Sequence, residues 1–454
     1  MHKIAKRALF LLVLILPLLA GVTLFAVRYA ADGGTWAVHA GSPHVYNGGN
    51  IGCGVITDAE GYLLLDLRDA RAYSNATDVR KSVLHWLGDR YGYISAPALA
   101  EYSEELAGFD RINGLYSYTD AVGVAQMTLS AQVQVAALEA LGDYHGTVAV
   151  YNYKTGQLLC AVTTPTYDPD NVPQIDDGDP SYDGIYVNRF TQSQYIPGSI
   201  FKIVTLAAAY EALPDVTSQT FVCTGSYSIG ADQITCEVAH WEQDTETAFR
   251  NSCNCAFAQI AQQLGAENME KYVAQFGVTD SVTFDGITTQ VGNYEAGDAQ
   301  VSLAWSGIGQ YNDLVNPCAY LTFVGAIANG GRGVLPYVVE KITVGDNETY
   351  EASTRKSDRI MSEETAELLQ EYMRGNVVNN YGSDRFGGLT VCAKTGTAEV
   401  GGDKKPNAML VGFSTDEEYP LAFVVCAEDA GYGGTVCIPI ASKVLSACKS
   451  FLDG

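Results

Sequence analysis

Tyr195-Ile196-Pro197-Gly198-Ser199-Ile200-Phe201-Lys202 is the stretch on which the reading of this chain turns. Pro197-Gly198 marks a loop, and Ile200 to Leu213 is helical in propensity and apolar nearly all round, the pattern of a helix buried on every side. Spacing of three residues puts Ser199 and Lys202 on one helical face, within side-chain reach. Lys202 sits among Ile200, Phe201, Ile203 and Val204, where desolvation disfavours the ammonium form and lowers the pKa. A hydroxyl beside a partly neutral amine is a nucleophile beside its general base. A backbone N–H at the start of the helix is also well placed to stabilise a developing oxyanion.

Two further triplets follow in order. Ser252-Cys253-Asn254 precedes a helix-like run, Ala256 to Leu264, where helix capping is the competing role for Ser and Asn. Lys394-Thr395-Gly396 lies in a strand-like run, Cys392 to Thr397. Alternation aims Thr395 and Thr397 to one side, Gly396 leaves room for a substrate backbone, and Lys394 lies behind, able to hold the Ser252 hydroxyl and attract a carboxylate. Single motifs are cheap: Ser-x-x-Lys recurs at Ser353–Lys356 and Ser446–Lys449, and Lys-Thr-Gly at Lys154–Gly156. Context separates the copies, because Ser353 lies in a polar stretch and Lys154 in a hairpin turn.

A chain of 454 residues that is 47% hydrophobic can bury a full core and hold more than one domain. Its 27 Lys+Arg against 52 Asp+Glu leave a net charge of -25, which argues against nucleic acid or anionic lipid as partners of the body. Ala8 to Val27 carries no charge and is long enough as a helix to cross a bilayer; Pro17 and Gly21 are tolerated there. Lys3, Lys6 and Arg7 precede it, so the positive-inside rule places the N-terminus in the cytoplasm and the rest outside. A cleaved signal peptide is the alternative, but the apolar stretch exceeds the usual length of about 7–15 residues and no clear small-x-small site follows it. No later segment reads as a span.

Eleven cysteines is an odd count, so at least one stays unpaired within the chain. Cys223 and Cys236 flank a Gly/Ser-containing loop and are the first pair expected to join; a reducing habitat would keep all eleven as thiols. Zinc is not expected, since the chain has no CxxC and no HExxH, its six histidines are scattered, and Cys253-Asn254-Cys255 alone is a weak metal signal.

The chain divides into a cytoplasmic stub and anchor (1–28), a Gly- and Tyr-rich module (29–144) and a large domain (145–454). In the module, Gly54 to Leu64 reads as strand, turn, strand, and Ala131 to Leu141 as a helix. The large domain opens with a hairpin, Thr147 to Tyr151 and Gln157 to Thr163. β-type runs return at Leu389 to Ala393, Ala408 to Phe413 and Leu421 to Cys426, before a helix over Pro439 to Phe451. Strands at both ends with helices between predict an α+β domain whose sheet joins distant parts of the chain.

The three triplets lie in a wider set: Asn251-Ser252-Cys253-Asn254-Cys255-Ala256-Phe257, Gly307-Ile308-Gly309-Gln310 with Asn316-Pro317, Ala328-Asn329-Gly330-Gly331, and Lys394-Thr395-Gly396-Thr397-Ala398-Glu399. Together with the opening octet they cover roughly Gly146 to Leu452, and the chain resembles the penicillin-binding transpeptidases of cell-wall synthesis. The segment before Gly146 lacks the length of a glycosyltransferase domain, so the resemblance is to the monofunctional (class B) type. It implies the penicillin-binding and serine β-lactamase-like fold, an antiparallel sheet flanked by helices, and D,D-transpeptidation of D-Ala-D-Ala stem peptides. It implies Ser199 as nucleophile, Lys202 as its base and Ser252 as proton relay to the leaving amine. Asn254 would bind the substrate amide, Lys394 and Thr395 beside Gly396 would hold the terminal carboxylate, and the N–H groups of Ser199 and Thr397 would form the oxyanion hole. It implies no metal or organic cofactor, acylation by β-lactams, and a membrane glycosyltransferase as partner of the module. Hydrolysis of the same acyl-enzyme, as a D,D-carboxypeptidase or β-lactamase, stays open. A β-lactam sensor or silent scaffold ranks below both, since no output domain precedes the single span. The chain departs from the family pattern at Tyr311, where Gly commonly follows Gly-Gln, at His240-Trp241, where His-Gly is frequent, at Asn407 to Leu410, and at Cys53, where Arg is often found.

Overall fold

Helix α1 (His2–Ala37) leads the chain and continues past Val27, with Pro17 inside it. Its most apolar window has a mean hydropathy of 2.8 and none of it is buried, so the helix has the length and surface of a membrane span. The computed structural model describes residues 2–39, 41–43, 45–47, 50–68, 71–110, 112–116, 122–297 and 299–454.

Strands β1 (Val55–Thr57), β2 (Leu63–Asp66), β3 (Ala72–Tyr73) and β4 (Gly123–Met127) follow. The turn between β1 and β2 is built as its residues dictate: Asp58 Oδ1 accepts from the N–H groups of Glu60 and Tyr62 at 2.9 and 2.8 Å. Helix α2 (Ala131–Leu141) starts at Ser130, whose side chain accepts from Val133 N. Strands β5 (Gly146–Asn152) and β6 (Leu158–Thr164) form the expected hairpin. A 3₁₀ turn (Gly198–Phe201) then leads into helix α3 (Lys202–Ala212).

Four short strands come next: β7 (Thr220–Cys223), β8 (Ser226–Ile229), β9 (Asp232–Thr235) and β10 (Trp241–Asp244). Helix α4 (Asn254–Phe276) breaks at Gly265, and helix α5 (Pro317–Ala328) is capped by the Asn316 side chain with Pro317 in its first turn. Strands β11 (Val339–Val344) and β12 (Asn347–Glu351), helix α6 (Glu363–Asn376), strands β13 (Val391–Ala398), β14 (Asn407–Ser414) and β15 (Leu421–Ala427), and helix α7 (Gly433–Asp453) follow, with shorter helices and strands between these elements.

The main sheet is antiparallel throughout, in the order β6-β5-β15-β14-β13, so its first and last thirds meet at the β5–β15 pairing. The fold is α+β, as expected. Helix α7 is also long and apolar enough to cross a membrane, with a mean hydropathy of 1.3. Its apolarity has another cause, because Ile438, Ile440, Val444 and Leu445 pack into the core on one side of the main sheet. A second, six-stranded sheet of shorter strands runs β12-β11-β4-β1-β2-β3, with only β1 and β4 parallel. It therefore takes two strands from within 145–454, and a boundary at 144 divides the chain but not this sheet.

Candidate active site

Helix α3 is buried from Lys202 through Ala209, which fixes where its one lysine can go. Burying that amine is expensive: desolvation pushes its pKa down to about 8, against the weaker pull of the thiol groups of Cys253, Cys236 and Cys255. The shift corresponds to roughly 3 kcal/mol. Burial of Ile203, Val204 and Leu206 on the same helix, at about 2 kcal/mol each, outweighs it. The amine ends among polar atoms. Lys202 Nζ lies 3.0 Å from Ser199 Oγ and 3.2 Å from Ser252 Oγ, and it donates to Ser252 O at 2.6 Å and Asn254 Oδ1 at 2.7 Å.

The middle triplet is fixed by its own backbone. Cys253 caps α4 through its sulfur, which accepts from Ala256 N, so the expected capping role falls to Cys253 and leaves the side chains of Ser252 and Asn254 free for Lys202. Ser252 takes φ +52°, a left-handed conformation costing about 1 kcal/mol or more outside glycine. Asn254 also donates to Thr235 O at 2.8 Å, tying it to β9.

The third triplet lies on β13, the edge strand of the main sheet. Thr395 and Thr397 are partly exposed while Lys394 and Gly396 are buried, the alternation expected of a strand. Lys394 Nζ donates to Ser252 Oγ at 3.0 Å and to Thr395 O at 2.9 Å. Burial, reinforced by repulsion from Lys202, lowers its pKa well below the usual range. Tyr381 Oη accepts from Thr395 N at 3.1 Å and lies 3.0 Å from Thr395 Oγ1. Thr395 thus points its N–H away from β14, and the two-residue period turns that of Thr397 the same way.

Gly198 has φ +53°, and a Cβ there would sit 2.5 Å from Thr397 O. Gly309 has φ +77°, and its Cβ would sit 2.1 Å from Gly198 O. Glycine at both positions lets the Ser199 loop, β13 and the Gly307–Gln310 loop stack at backbone contact. Gly396 serves the same packing: Pro197 O and Ile200 Cγ2 stand 3.0 Å from where its Cβ would be. A side chain at this position would press on the turn that carries Ser199.

One cavity of about 560 Å³ opens on Ser199, Ser252, Asn254, Thr395 and Thr397 together. The other copies of the motifs lie elsewhere. Ser353 is exposed, Ser446 donates to Ser442 O, Lys449 pairs with Asp453, and Lys154 donates to Asn329. Tyr381 was not anticipated, and no sequence spacing ties it to Thr395.

Two cysteine expectations are corrected. All eleven cysteines are free, and Cys223 and Cys236 are not joined. The β8–β9 hairpin brings them near each other, but Cys223 Sγ faces His240 Nδ1 at 3.5 Å while Cys236 Sγ faces Cys255 Sγ at 3.5 Å and Cys253 Sγ at 3.8 Å. The scattered cysteines and histidine, expected to form no metal-type cluster, converge: the ligand atoms of Cys223, Cys236, His240 and Cys253 all lie within 4.8 Å of one another.

A serine hydroxyl, a buried amine touching it, a second serine bridging to a second amine, and a cavity open to all of them are the equipment of serine acyl transfer. The chain belongs to the penicillin binding protein transpeptidase domain family, whose model matches residues 146–446. It is 28% identical over 366 residues to the peptidoglycan D,D-transpeptidase PbpA of Mycolicibacterium smegmatis, covering 72% of each chain. It is 28% identical over 345 residues to the stage V sporulation protein D of Bacillus subtilis, covering 70% of this chain and 52% of that one. Among solved structures, penicillin-binding protein A from M. tuberculosis, as its ceftriaxone acyl-enzyme complex, superposes with a TM-score of 0.74 at 24% identity, over 87% of this chain and 98% of the other. The D,D-transpeptidase domain of an Eggerthella lenta peptidoglycan glycosyltransferase does so at 0.73 and 24%, over 88% and 98%. These likenesses establish the fold.

Proposed function

We infer that the protein is a serine-type peptidoglycan D,D-transpeptidase, sensitive to penicillin. One observation carries the reading: Lys202 Nζ touches Ser199 Oγ while its other polar neighbours include two pure acceptors, Ser252 O and Asn254 Oδ1. A neutral amine has two N–H groups and one lone pair. The two acceptors take both N–H groups, and the lone pair is left for the Ser199 proton.

In this reading Ser199 Oγ attacks the penultimate D-Ala carbonyl as its proton passes to Lys202. Charge collects on the carbonyl oxygen, facing the N–H groups of Ser199 and Thr397. The C–N bond breaks, Ser252 relays a proton to the departing D-Ala amine, and the peptide remains as an ester on Ser199. The amine of a neighbouring stem then attacks the ester and returns the proton to Ser199. Lys394, Thr395 and the close-packed Gly396 strand receive the terminal carboxylate, and Asn254 the substrate amide. A carboxylate arriving at Lys394 favours its ammonium form, which leaves Lys202 as the neutral partner. The reaction steps call on no metal or organic cofactor.

The relatives named D,D-transpeptidases support this assignment. Residues 1–28 anchor the chain with a cytoplasmic N-terminus, on the charge bias of Lys3, Lys6 and Arg7. The module of residues 29–144 contacts a membrane glycosyltransferase, and residues 145–454 act outside the membrane on stem peptides. The test is labelling with a fluorescent penicillin. The label forms on the wild type, is absent from Ser199→Ala and decays slowly. Rapid turnover would replace the reading with a β-lactamase, and no label on the wild type would refute it.

A further inference from the structure

Most of the chain's thiols behave as small core hydrophobes: Cys160, Cys318, Cys392, Cys426, Cys437 and Cys448 are buried in the two main apolar clusters. A different group lies beside the middle triplet. Cys223 ends β7, Cys236 follows β9, His240 precedes β10, and Cys253 caps α4.

Their ligand atoms all lie within 4.8 Å of one another, and two of the separations match the edges of a coordination tetrahedron. A tetrahedral zinc ion holds sulfur at ~2.3 Å and imidazole nitrogen at ~2.0 Å, which sets sulfur–sulfur edges at ~3.8 Å and sulfur–nitrogen edges at ~3.6 Å. Cys236 Sγ to Cys253 Sγ is 3.8 Å, and Cys223 Sγ to His240 Nδ1 is 3.5 Å. Thiolate charge is already provided for. Ala256 N donates to Cys253 Sγ at 3.4 Å and Cys255 N to Cys236 Sγ at 3.5 Å, both from the N-terminal turn of α4. Cys236 and His240 line the wall of the active-site cavity, giving an ion a route in, while Cys223 and Cys253 are fully buried.

We propose that Cys223, Cys236, His240 and Cys253 bind one zinc ion as a closed tetrahedral site, and that the ion clamps the Ser252–Asn254 segment in place. Three thiolates and one imidazole select a borderline-soft ion, and four protein ligands leave no position open for substrate or water. Binding releases three thiol protons to solvent and takes the imidazole neutral. Cys253 stands between Ser252 and Asn254, so a metal bond to its sulfur fixes both neighbours, including the left-handed backbone at Ser252. Residues 220–244 are short strands and turns, and the ion ties them to α4. The clamp rests on the transpeptidase reading; the ion does not.

The test is metal analysis of the full chain, purified in detergent without chelator. About one zinc per chain is expected, lost in Cys236→Ser and His240→Ala and retained in Cys53→Ser. Cobalt substitution of the wild type gives thiolate-to-metal charge transfer and the visible bands of a tetrahedral ion, a readout that needs no variant to fold. Chelation that strips the ion slows penicillin acylation about 10- to 100-fold, and zinc restores it. Absence of zinc and of the cobalt bands, or a disulfide among these cysteines found in non-reduced peptides, would overturn the site. Metal bound but acylation unchanged on its removal would overturn the clamp and leave the transpeptidase reading standing.

Discussion

Lys202 and Lys394, both fully buried, converge on the hydroxyl of Ser252 at 3.2 and 3.0 Å. Two ammonium groups on one small oxygen repel, and burial lowers both pKa values. The arrangement is stable when one of the two is neutral.

That relationship sets the pH dependence of acylation. Lys202 has a pKa lowered to about 8, and its base form accumulates as pH rises through that value. The second-order rate of penicillin acylation therefore climbs about tenfold per pH unit below pH 8 and levels above it. Stopped-flow measurement of labelling from pH 5.5 to 9 checks this. A rate independent of pH over that range would remove Lys202 from the role of base.

Substitution of the three Ser-x-x-Lys serines separates the functional copy from its echoes. Ser199→Ala abolishes covalent labelling, whereas Ser353→Ala and Ser446→Ala keep wild-type rates, because the first is exposed and the second bonds its own helix. Mass spectrometry of the labelled peptide reads the answer directly.

Removing the Tyr381 hydroxyl leaves Thr395 N without its acceptor. Tyr381→Phe should cost about 1 kcal/mol, seen as an approximately fivefold weaker apparent affinity for β-lactam or stem peptide with little change in the limiting acylation rate. A drop confined to the limiting rate would mean that Tyr381 does not act through the carboxylate-holding strand.

Tyr311 takes φ +69°, where a side chain is strained. Tyr311→Gly relieves about 1–2 kcal/mol of strain and gives back about half of that in unfolded-chain entropy, for a net gain of about 0.5–1 kcal/mol. Thermal unfolding in detergent tests the sign, with Tyr311→Ala as the unrelieved control.

Much of this was legible because local chemistry and tertiary role agree. Ala131 to Leu141 shows helical periodicity and is that helix to the residue. Lys202 announced its burial through its apolar neighbours, and the alternation around Lys394 gave the correct faces of β13. Two departures from the family pattern turn out to be conformational: Trp241, like Tyr311, occupies a left-handed φ (+59°), where glycine would be free of strain. What escaped the sequence depends on distant contacts. Tyr381 meets Thr395 only through the turn after α6, and the partners of Cys223 and Cys236 are set by how β7 to β10 fold back on α4. Nothing in the neighbours of Gly396 reveals that Pro197 and Ile200 pack against it.

The second sheet ties the two parts of the chain together. β11 lies between β4 and β12, with Ile342 opposite Ala125 on one side and Tyr350 on the other. Removing everything before Gly146 would strip β11 of a neighbour and bare a row of backbone donors and acceptors, an invitation to aggregate. In the intact chain the same ladder bonds Gly123–Met127 to Val339–Val344, backbone to backbone. The stretch before Gly146 and the catalytic domain share one ribbon of backbone, so neither can come away from the other without breaking that ladder.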